Sequence, residues 1–279
     1  MLQTGEGSWD NRGLMNSPSL YPRGPLVISV VSHGHAALVR PLLEALARLS
    51  SATVSRVVLT HNVPESDPPA PPGGWPFELQ IRRNVRPAGF GANHNRALAS
   101  AREPFVCVLN PDVALQDGDP FAALVQAAGG AGVGCAYPRQ LNAAGQVQDS
   151  ERTLPTPLAL WRRRVLGRHP GAGAPVEWVN GACMVLPRAA WEAMGGFDEG
   201  YFMYCEDVDL CLRLRLAGLT LVRAPAQVQH AGQRASARAW RPLWWHVRSL
   251  LRLWRSPVYR SARRLLLRDT VPAGRIGAS

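Results

Sequence analysis

A chain of 279 residues with an apolar content of 46% is long enough to bury a full hydrophobic core, as one large domain or as a domain with an appendage. No apolar run approaches the ~18 residues that cross a bilayer. Its five cysteines form no CxxC pair, which predicts reduced core thiols and excludes a disulfide-stapled scaffold. All 31 basic residues are arginine, and eleven of them lie from Arg234 onward beside one acid, Asp269. The remainder is nearly neutral, so a basic tail acting at an anionic surface is favoured over a nucleic-acid-binding core.

Residues 1–25 are rich in Gly, Ser, Asn and Pro and lack an apolar segment, so we expect a disordered lead-in and no signal peptide. From Leu26 to Tyr137 the pattern then alternates between strands and helices. Apolar, β-branched runs predict strands at residues 26–31, 54–59, 77–81, 104–109 and 133–137. Helical spacing predicts helices at about 38–49, 89–102 and 121–128. This alternation predicts an α/β fold, a mostly parallel sheet with helices on both faces.

Polar residues follow three of these strands, at the ends where sheets of this class bind ligands. They are Ser32-His33, Thr60-His61-Asn62 and Asn110-Pro111-Asp112. The carboxylate of Asp112 suits a hard divalent cation. The loop that begins at Gly89 either brings its backbone close to a ligand or is simply the entry to a helix.

Beyond Arg139 the alternation weakens, with short strands predicted near residues 176–179, 182–186, 219–222 and 227–229, a helix at 188–194 and a basic segment at 157–168.

The most informative stretch is Gly195–Leu210, which is glycine-hinged, aromatic in the middle and rich in carboxylates. Its acids are Asp198, Glu199, Glu206, Asp207 and Asp209. A helix is predicted from Glu206 to Ala217, closed by Gly218. Acids at a helix N-terminus complement the dipole, but a pocket that holds a base and a polar substrate fits this loop better.

The C-terminal tail is amphipathic, and Pro257 is expected to end its first helix near residue 255 or 256. Its apolar face comprises Leu243, Trp244, Val247, Leu250, Leu251 and Trp254, and its basic face Arg241, Arg248, Arg252 and Arg255. Two interpretations stay open: an interfacial helix on an anionic membrane, or a helix packed on its own core with a solvated arginine face.

Together with Asn110-Pro111-Asp112 and His230, the acidic stretch resembles the family 2 glycosyltransferases, inverting enzymes of the GT-A fold. The resemblance is closest to the bacterial rhamnosyltransferases of O-antigen and capsule assembly, and it covers about Leu26 to Arg234. It implies a GT-A domain at 26–234, with a nucleotide-binding half at 26–137 and an acceptor-binding and catalytic half at 138–234, followed by the helical tail at 235–279.

The resemblance also implies roles for particular residues. Asp207 would be the general base that takes the proton of the acceptor hydroxyl, beside Glu206, and neighbouring carboxylates are expected to raise its pKa. Asp112 and His230 would hold Mg²⁺ or Mn²⁺ on the donor diphosphate. A single base without a second carboxylate nucleophile predicts inversion.

The implied donor-binding residues are Ser32, His33, Asn62, Asn84, Gly89, Phe90, Gly91, Asn95, Asn110 and Asp112. Those implied on the acceptor side are Trp178, Asn180, Gly181, Asp198 and Glu199. The sequence departs from the family where Asn110 replaces the first of two acids, and where Thr60-His61-Asn62 stands in place of an Asp that reads the base.

The predicted function is transfer of a sugar, L-rhamnose from a dTDP donor, to a glycan or polyprenyl-diphosphate-linked glycan. The predicted location is the cytoplasmic face of the plasma membrane, with peripheral attachment, no nucleic-acid partner and an oligomer possible. A sugar nucleotidyltransferase is disfavoured, because no Gly-rich loop follows the first strand and the chain has no lysine. A non-catalytic basic protein that binds membrane or nucleic acid would be indifferent to Asp207→Asn and Asp112→Ala.

Overall fold

The structure is a computed structural model that describes residues 24–116, 118–158, 160, 175–230 and 240–269. Nearly all of the predicted lead-in and most of the basic segment 157–168 lie outside the described residues. The strands are β1 Leu26–Ser32, β2 Val54–His61, β3 Glu78–Arg83, β4 Phe105–Leu109, β5 Val113–Ala114, β6 Val133–Leu141, β7 Glu151–Arg152, β8 Trp178–Val179, β9 Cys183–Pro187 and β10 Thr220–His230. The helices are α1 Ala36–Leu49, α2 Phe90–Leu98, α3 Pro120–Ala128, α4 Arg188–Ala193, α5 Glu206–Leu216, α6 Trp240–Arg255 and α7 Pro257–Asp269.

Eight strands form one sheet in the order β3-β2-β1-β4-β9-β6-β10-β5. The pairs β3–β2, β2–β1, β1–β4 and β6–β10 are parallel, whereas β9 runs antiparallel between β4 and β6. The prediction of a mostly parallel α/β sheet is therefore confirmed. The two predicted strands at 219–222 and 227–229 are one strand, β10, whose register shifts between Arg223 and Gln227. The two-residue strands β5 and β7 were not predicted, because so short a segment has no periodicity to read.

The sheet is buried on both faces, as its continuous apolar strands predict. On β1, Val27 faces one core cluster and Ile28 faces the other. Helices α1 and α3 contribute to the cluster that contains Ile28, and α2, α4, α5, α6 and α7 to the cluster that contains Val27. Helices on both faces are thus confirmed, and they leave the ends of the strands as the place for a polar site.

Helix α5 ends as predicted at Gly218, whose φ is +78°. The amide of Gly218 donates to the carbonyl of Arg215 and that of Leu219 to the carbonyl of Leu214, both at 3.0 Å. This is the Schellman arrangement, which favours glycine because its left-handed backbone carries no Cβ penalty.

The tail helices pack into the core of the main domain and do not stand apart from it. Leu253 and Ala262 are fully buried, in one cluster with Leu210 and Leu214 of α5. The apolar face predicted for α6 is therefore divided. Leu250 is buried and Trp254 is partly buried against the core, whereas the remaining members, Leu243, Trp244, Val247 and Leu251, are exposed. No described helix combines the length and the apolar character needed to span a membrane.

Substitutions of two leucines of α6 should distinguish its buried side from its exposed side. Leu253→Ala is expected to lower the free energy of unfolding by about 2–5 kcal/mol, because it leaves a cavity in the core. Leu251→Ala, on the exposed side of the same helix, should change it by no more than about 0.5 kcal/mol. Chemical denaturation of both variants measures the difference. Equally small effects of the two substitutions on the free energy of unfolding would show that α6 does not belong to the core.

Candidate active site

The predicted donor-binding residues at the ends of β1 and β2 are brought together by hydrogen bonds of Asn62. Its Oδ1 accepts from Asn84 Nδ2 and from the Ala88 amide, both at 2.8 Å. Its Nδ2 donates to the Ala88 carbonyl at 3.0 Å and lies 3.2 Å from His33 Nδ1. Asn93 completes the cluster, since its Oδ1 accepts from Asn84 at 2.6 Å. The strand ends are thereby fixed against the loop that enters α2.

Glu65 is a residue of this region that the sequence analysis missed. Its carboxylate accepts from the hydroxyl of Ser32 and from the amide of Gly34, each at 2.7 Å. Burial opposes ionisation, but these two donors hold the pKa of Glu65 below its usual value. An ionised acid therefore stands near the end of β2, where the family carries an Asp. The available signal was an acid four residues after the strand, in a proline-rich loop.

The predicted metal ligands Asp112 and His230 meet where β5 pairs with the end of β10. His230 lies opposite Val113 in the antiparallel register, and its Nε2 is 3.3 Å from Asp112 Oδ1. The described residues hold no cluster of three or more His, Cys, Asp or Glu suited to a metal. A cation held here would complete its coordination with phosphate oxygens and water, as Mg²⁺ commonly does.

Hydrogen bonds from Gln148 decide which nitrogen of His230 carries the proton. Gln148 Nε2 donates to the His230 carbonyl at 2.6 Å, so its Oε1 is the atom that lies 3.2 Å from His230 Nδ1. An amide oxygen only accepts, so Nδ1 carries a hydrogen, and in the neutral imidazole the lone pair of Nε2 then faces Asp112. A lone pair opposite a carboxylate requires a proton or a cation between them. This donor set fits a divalent metal, and Gln148 is its orienting partner.

The three acids at the start of α5 occupy different environments. Asp209 is buried and paired with Arg213 at 2.7 Å. Glu206 is 5% exposed, and its Oε2 has no hydrogen-bond partner in the described part of the chain. Asp207 is partly exposed and accepts from the amides of Gly181 at 3.1 Å and Val208 at 2.8 Å. Of the three, Asp207 is the acid available to a substrate.

Desolvation raises the pKa of Asp207, and the amides of Val208 and Gly181 and the charge of Arg152 oppose it. The predicted direction of this shift agrees with the effect of burial. The carboxylates of Asp207 and Glu206 also interact with each other, and the pKa of Glu206 is raised well above its usual range by burial and then by the charge of Asp207. A carboxylate with a raised pKa is a better proton acceptor once it is ionised.

Two backbone contacts connect the acid cluster to the metal end of the sheet. The amide of Gly181 donates to Asp207, and the carbonyl of the next residue, Ala182, accepts from the amide of Asn110 at 2.8 Å. Asn110 begins the Asn-Pro-Asp turn that carries Asp112. The predicted base and the predicted metal ligand therefore border the same region, although they lie far apart in sequence.

The backbone immediately before α5 is strained. Tyr204 and Cys205 have φ of 71° and 68°, and they are the non-glycine residues with positive φ in the described ranges. Such conformations cost on the order of 1–3 kcal/mol each and persist only where packing enforces them. Here Cys205 is buried, and the Tyr204 ring packs edge-on against His246 of α6 at 5.0 Å. The tail helix thus helps to hold the loop that presents Glu206 and Asp207.

The glycines at the start of α2 lie close to other parts of the protein, and their approach to a ligand stays a prediction. A Cβ on Gly89 would lie 2.7 Å from the Phe202 carbonyl oxygen, and one on Gly91 2.6 Å from Phe197 Cβ. Asn95 of α2 also contacts the acidic stretch, since its amide group donates to the Phe197 carbonyl at 2.9 Å. These residues pack the predicted donor loop against the acidic stretch.

Most predicted acceptor-side residues make contacts within the protein. Trp178 is buried and donates from Nε1 to the Thr153 carbonyl at 2.7 Å, and the Asn180 amide exchanges hydrogen bonds with Gln140 at 2.6 and 3.0 Å. Asp198 is paired with Arg252 of α6 at 2.8 Å, and Glu199 accepts from Asn95 at 3.1 Å. Gly181 contacts Asp207 directly, and Phe90 lies against Gly181. The acceptor role of all five residues stays a prediction.

Arg152 is a second residue that the sequence analysis did not identify. Its guanidinium lies over the Trp178 ring, 5.2 Å from the centroid, and it is the cation that lowers the pKa of Asp207. It therefore occupies one face of the Trp178 ring. The only feature of the sequence that could have pointed to Arg152 was an arginine in β7, a strand too short to predict.

Replacing the buried carboxyl group of Glu206 by an amide should stabilise the protein at neutral and higher pH. Above the usual pKa of 4.5, the unfolded chain releases this proton while the folded chain retains it, so the free energy of unfolding falls as pH rises toward the raised folded pKa. Glu206→Gln has no such loss. We expect its Tm at pH ~8 to exceed that of the original chain by about 2–4 °C, and the gain to vanish below pH ~4.5. Glu192→Gln, at an exposed position of α4, is the control. A lower Tm for Glu206→Gln at pH ~8 would contradict the assignment.

The chain is similar to known proteins in sequence and in fold. Residues 148–260 match the family described as glycosyl transferase family group 2. An N-acetylglucosaminyl-diphospho-decaprenol L-rhamnosyltransferase of Mycobacterium tuberculosis is 33% identical over 229 residues, covering 71% of this chain and 74% of that protein. Rhamnosyltransferase WbbL of Escherichia coli K12 is 29% identical over 185 residues, covering 59% and 69%.

The fold is likewise that of solved glycosyltransferases. Mannosyltransferase PcManGT from Pyrobaculum calidifontis, in complex with GDP-Man and Mn²⁺, superposes with a TM-score of 0.56 at 15% identity, covering 94% of this chain and 80% of that one. GalNAc-T7 with UDP, GalNAc and Mn²⁺ superposes with a TM-score of 0.55 over 74% of this chain. With this fold and with sequence similarity that extends over most of a characterised relative, the chain belongs to the family 2 glycosyltransferases of the GT-A fold, close to the rhamnosyltransferases.

Proposed function

We propose that this enzyme transfers L-rhamnose from a dTDP donor to a polyprenyl-diphosphate-linked glycan that ends in N-acetylglucosamine. The sugar and the lipid-linked acceptor follow the name of the mycobacterial relative, and the nucleotide follows the resemblance of the sequence. The observation that carries the proposal is the pair of hydrogen bonds through Gly181, Ala182 and Asn110 that connects Asp207 to the turn of Asp112, beside His230.

In this proposal the donor lies between the ends of β1 and β2 and the metal pair. His33 and the Asn62 cluster line the nucleotide end, with Glu65 held ionised by Ser32. Asp112 and His230 would hold a divalent cation, which neutralises the negative charge that develops on the leaving diphosphate.

Asp207 then acts as the base. Its carboxylate accepts the proton of the acceptor hydroxyl while that oxygen bonds to the anomeric carbon and the bond from this carbon to the diphosphate breaks. The amide of Gly181 holds one carboxylate oxygen of Asp207, which fixes its orientation. A direct displacement inverts the anomeric configuration. We place the reaction at the cytoplasmic face of the plasma membrane, because an acceptor carried on a polyprenyl lipid resides in a membrane.

A donor and product analysis tests the proposal. dTDP-, UDP- and GDP-sugars are compared by thermal shift with Mg²⁺ or Mn²⁺, and the protein is then incubated with the best donor and a short-chain, water-soluble N-acetylglucosaminyl-diphospho-lipid. We expect the largest shift with dTDP-rhamnose and metal, and an inverted linkage by NMR. Stabilisation by another nucleotide sugar alone would overturn the donor, and a retained configuration would overturn the single-base mechanism.

A further inference from the structure

One side of α6 carries a row of exposed apolar side chains. This outer row consists of Leu243, Trp244, Val247 and Leu251. Trp244 is 59% exposed and Leu251 is 40% exposed. Leu243, Val247 and Leu251 are four residues apart, and Trp244 precedes Val247 by three, so the row follows one side of the helix for about 12 Å at 1.5 Å per residue. A row of large apolar side chains on the outside of a helix whose inner side is already packed indicates a surface that is covered by something else.

The charge around the outer row is basic. Arg248 follows Val247 directly, and Arg255 lies one turn beyond Leu251; both are exposed. No carboxylate in the described part of the chain pairs with either of them. From Arg234 onward the chain has eleven arginines and one acid. This pattern repels a second copy of the same surface and attracts an anionic one.

The inner side of α6 is bound to the walls of the active site. Ser249 Oγ donates to the Met203 carbonyl at 2.8 Å, and Arg252 pairs with Asp198, so the helix lies along the loop that leads to Asp207. Trp254 Nε1 donates to the Pro155 carbonyl at 2.7 Å, three residues after Arg152. The helix that carries the outer row therefore packs directly on the loop that leads to the base.

We propose that the outer row of α6 is a docking surface for an anionic lipid bilayer, with its apolar side chains in the headgroup–acyl boundary and the flanking arginines on the lipid phosphates. The combination of a tryptophan-containing apolar row and arginines is that of an interfacial helix. Docking there places the acidic loop next to the bilayer, where a lipid-linked acceptor presents its sugar. This last consequence rests on the proposed function, whereas the docking itself does not.

Flotation of the full-length protein with vesicles tests the docking. The protein is mixed with vesicles of phosphatidylcholine, with or without phosphatidylglycerol. We expect binding to the anionic vesicles only, reduced by added salt. The double variant Trp244→Gln, Leu251→Gln should lower partitioning by about tenfold or more. Val85→Gln, at a fully exposed valine after β3, is the matched control and should bind like the original chain.

Three results would overturn the docking proposal. Equal binding to neutral vesicles, or unchanged binding by the double variant, excludes the outer row as an anionic-lipid surface. If light scattering shows that the original chain is a dimer and the double variant a monomer, the outer row binds a second copy of the chain. An unchanged Tm in the double variant confirms that both substituted positions are on the surface. Transfer to the water-soluble acceptor is measured in parallel. Vesicle binding without transfer would refute the proposed function and leave the docking standing.

Discussion

Asp207→Asn is expected to lower kcat by about 10²–10⁴-fold, the usual contribution of a general base. The variant keeps the size of the side chain and an oxygen for the Gly181 amide, so donor binding and folding should be retained. The rate is measured with the water-soluble acceptor under saturating donor, and folding by Tm.

Asp209→Asn is the matched comparison two residues away. It removes the carboxylate partner of Arg213 from a buried pair, which should lower the unfolding free energy, although the burial that raises the pKa of Asp209 offsets part of the loss. The two variants should therefore differ in which property is lost, the rate or the stability. Asp207→Asn should lose rate with little loss of stability, and Asp209→Asn should lose stability first. A fully active Asp207→Asn enzyme would remove Asp207 from the chemistry.

The pH dependence gives an independent readout of the same base. Asp207 must be ionised to accept a proton, so kcat should fall as pH drops through its raised pKa, above the usual 3.8. Arg152 favours the ionised form, so Arg152→Gln should move this acid limb to higher pH. An acid limb that does not move would mean that another group limits the rate.

The second large effect is expected at the metal pair. Asp112→Asn should lower kcat/KM by at least about 10–100-fold, because it removes the carboxylate beside His230 that a hard cation prefers. Binding of Mn²⁺ in the presence of the nucleotide, followed by electron paramagnetic resonance, should weaken in parallel. The loss arises from the ion and its diphosphate, so saturating Mn²⁺ should restore part of the rate.

A double-variant comparison makes this prediction specific. His230→Gln should reproduce the phenotype of Asp112→Asn, and the double variant should lose little more than either single one, because both residues hold the same ion. Glu44→Gln, in an exposed pair on α1, is the neutral control. Additive losses, or Mn²⁺ binding unchanged by either substitution, would exclude a shared metal site.

The sequence by itself was sufficient for the fold class, and it supplied the candidate residues of the site. Buried β-branched strands such as β1 have a periodicity that depends only on neighbouring residues, and Gly218 ends α5 because a left-handed residue is required there. Asp207, Asp112 and His230 were recognisable from local motifs.

Only the tertiary structure decided which of the adjacent acids is accessible, and what the tail does. Glu206, Asp207 and Asp209 look alike in sequence, but contacts from distant residues bury Glu206, pair Asp209 with Arg213 and leave Asp207 partly open. The apolar face of α6 was one stripe in the sequence, and packing on the main domain divided it into a buried side and an exposed row. Burial and charge pairing depend on residues far away in the chain, and a local pattern carries no information about them.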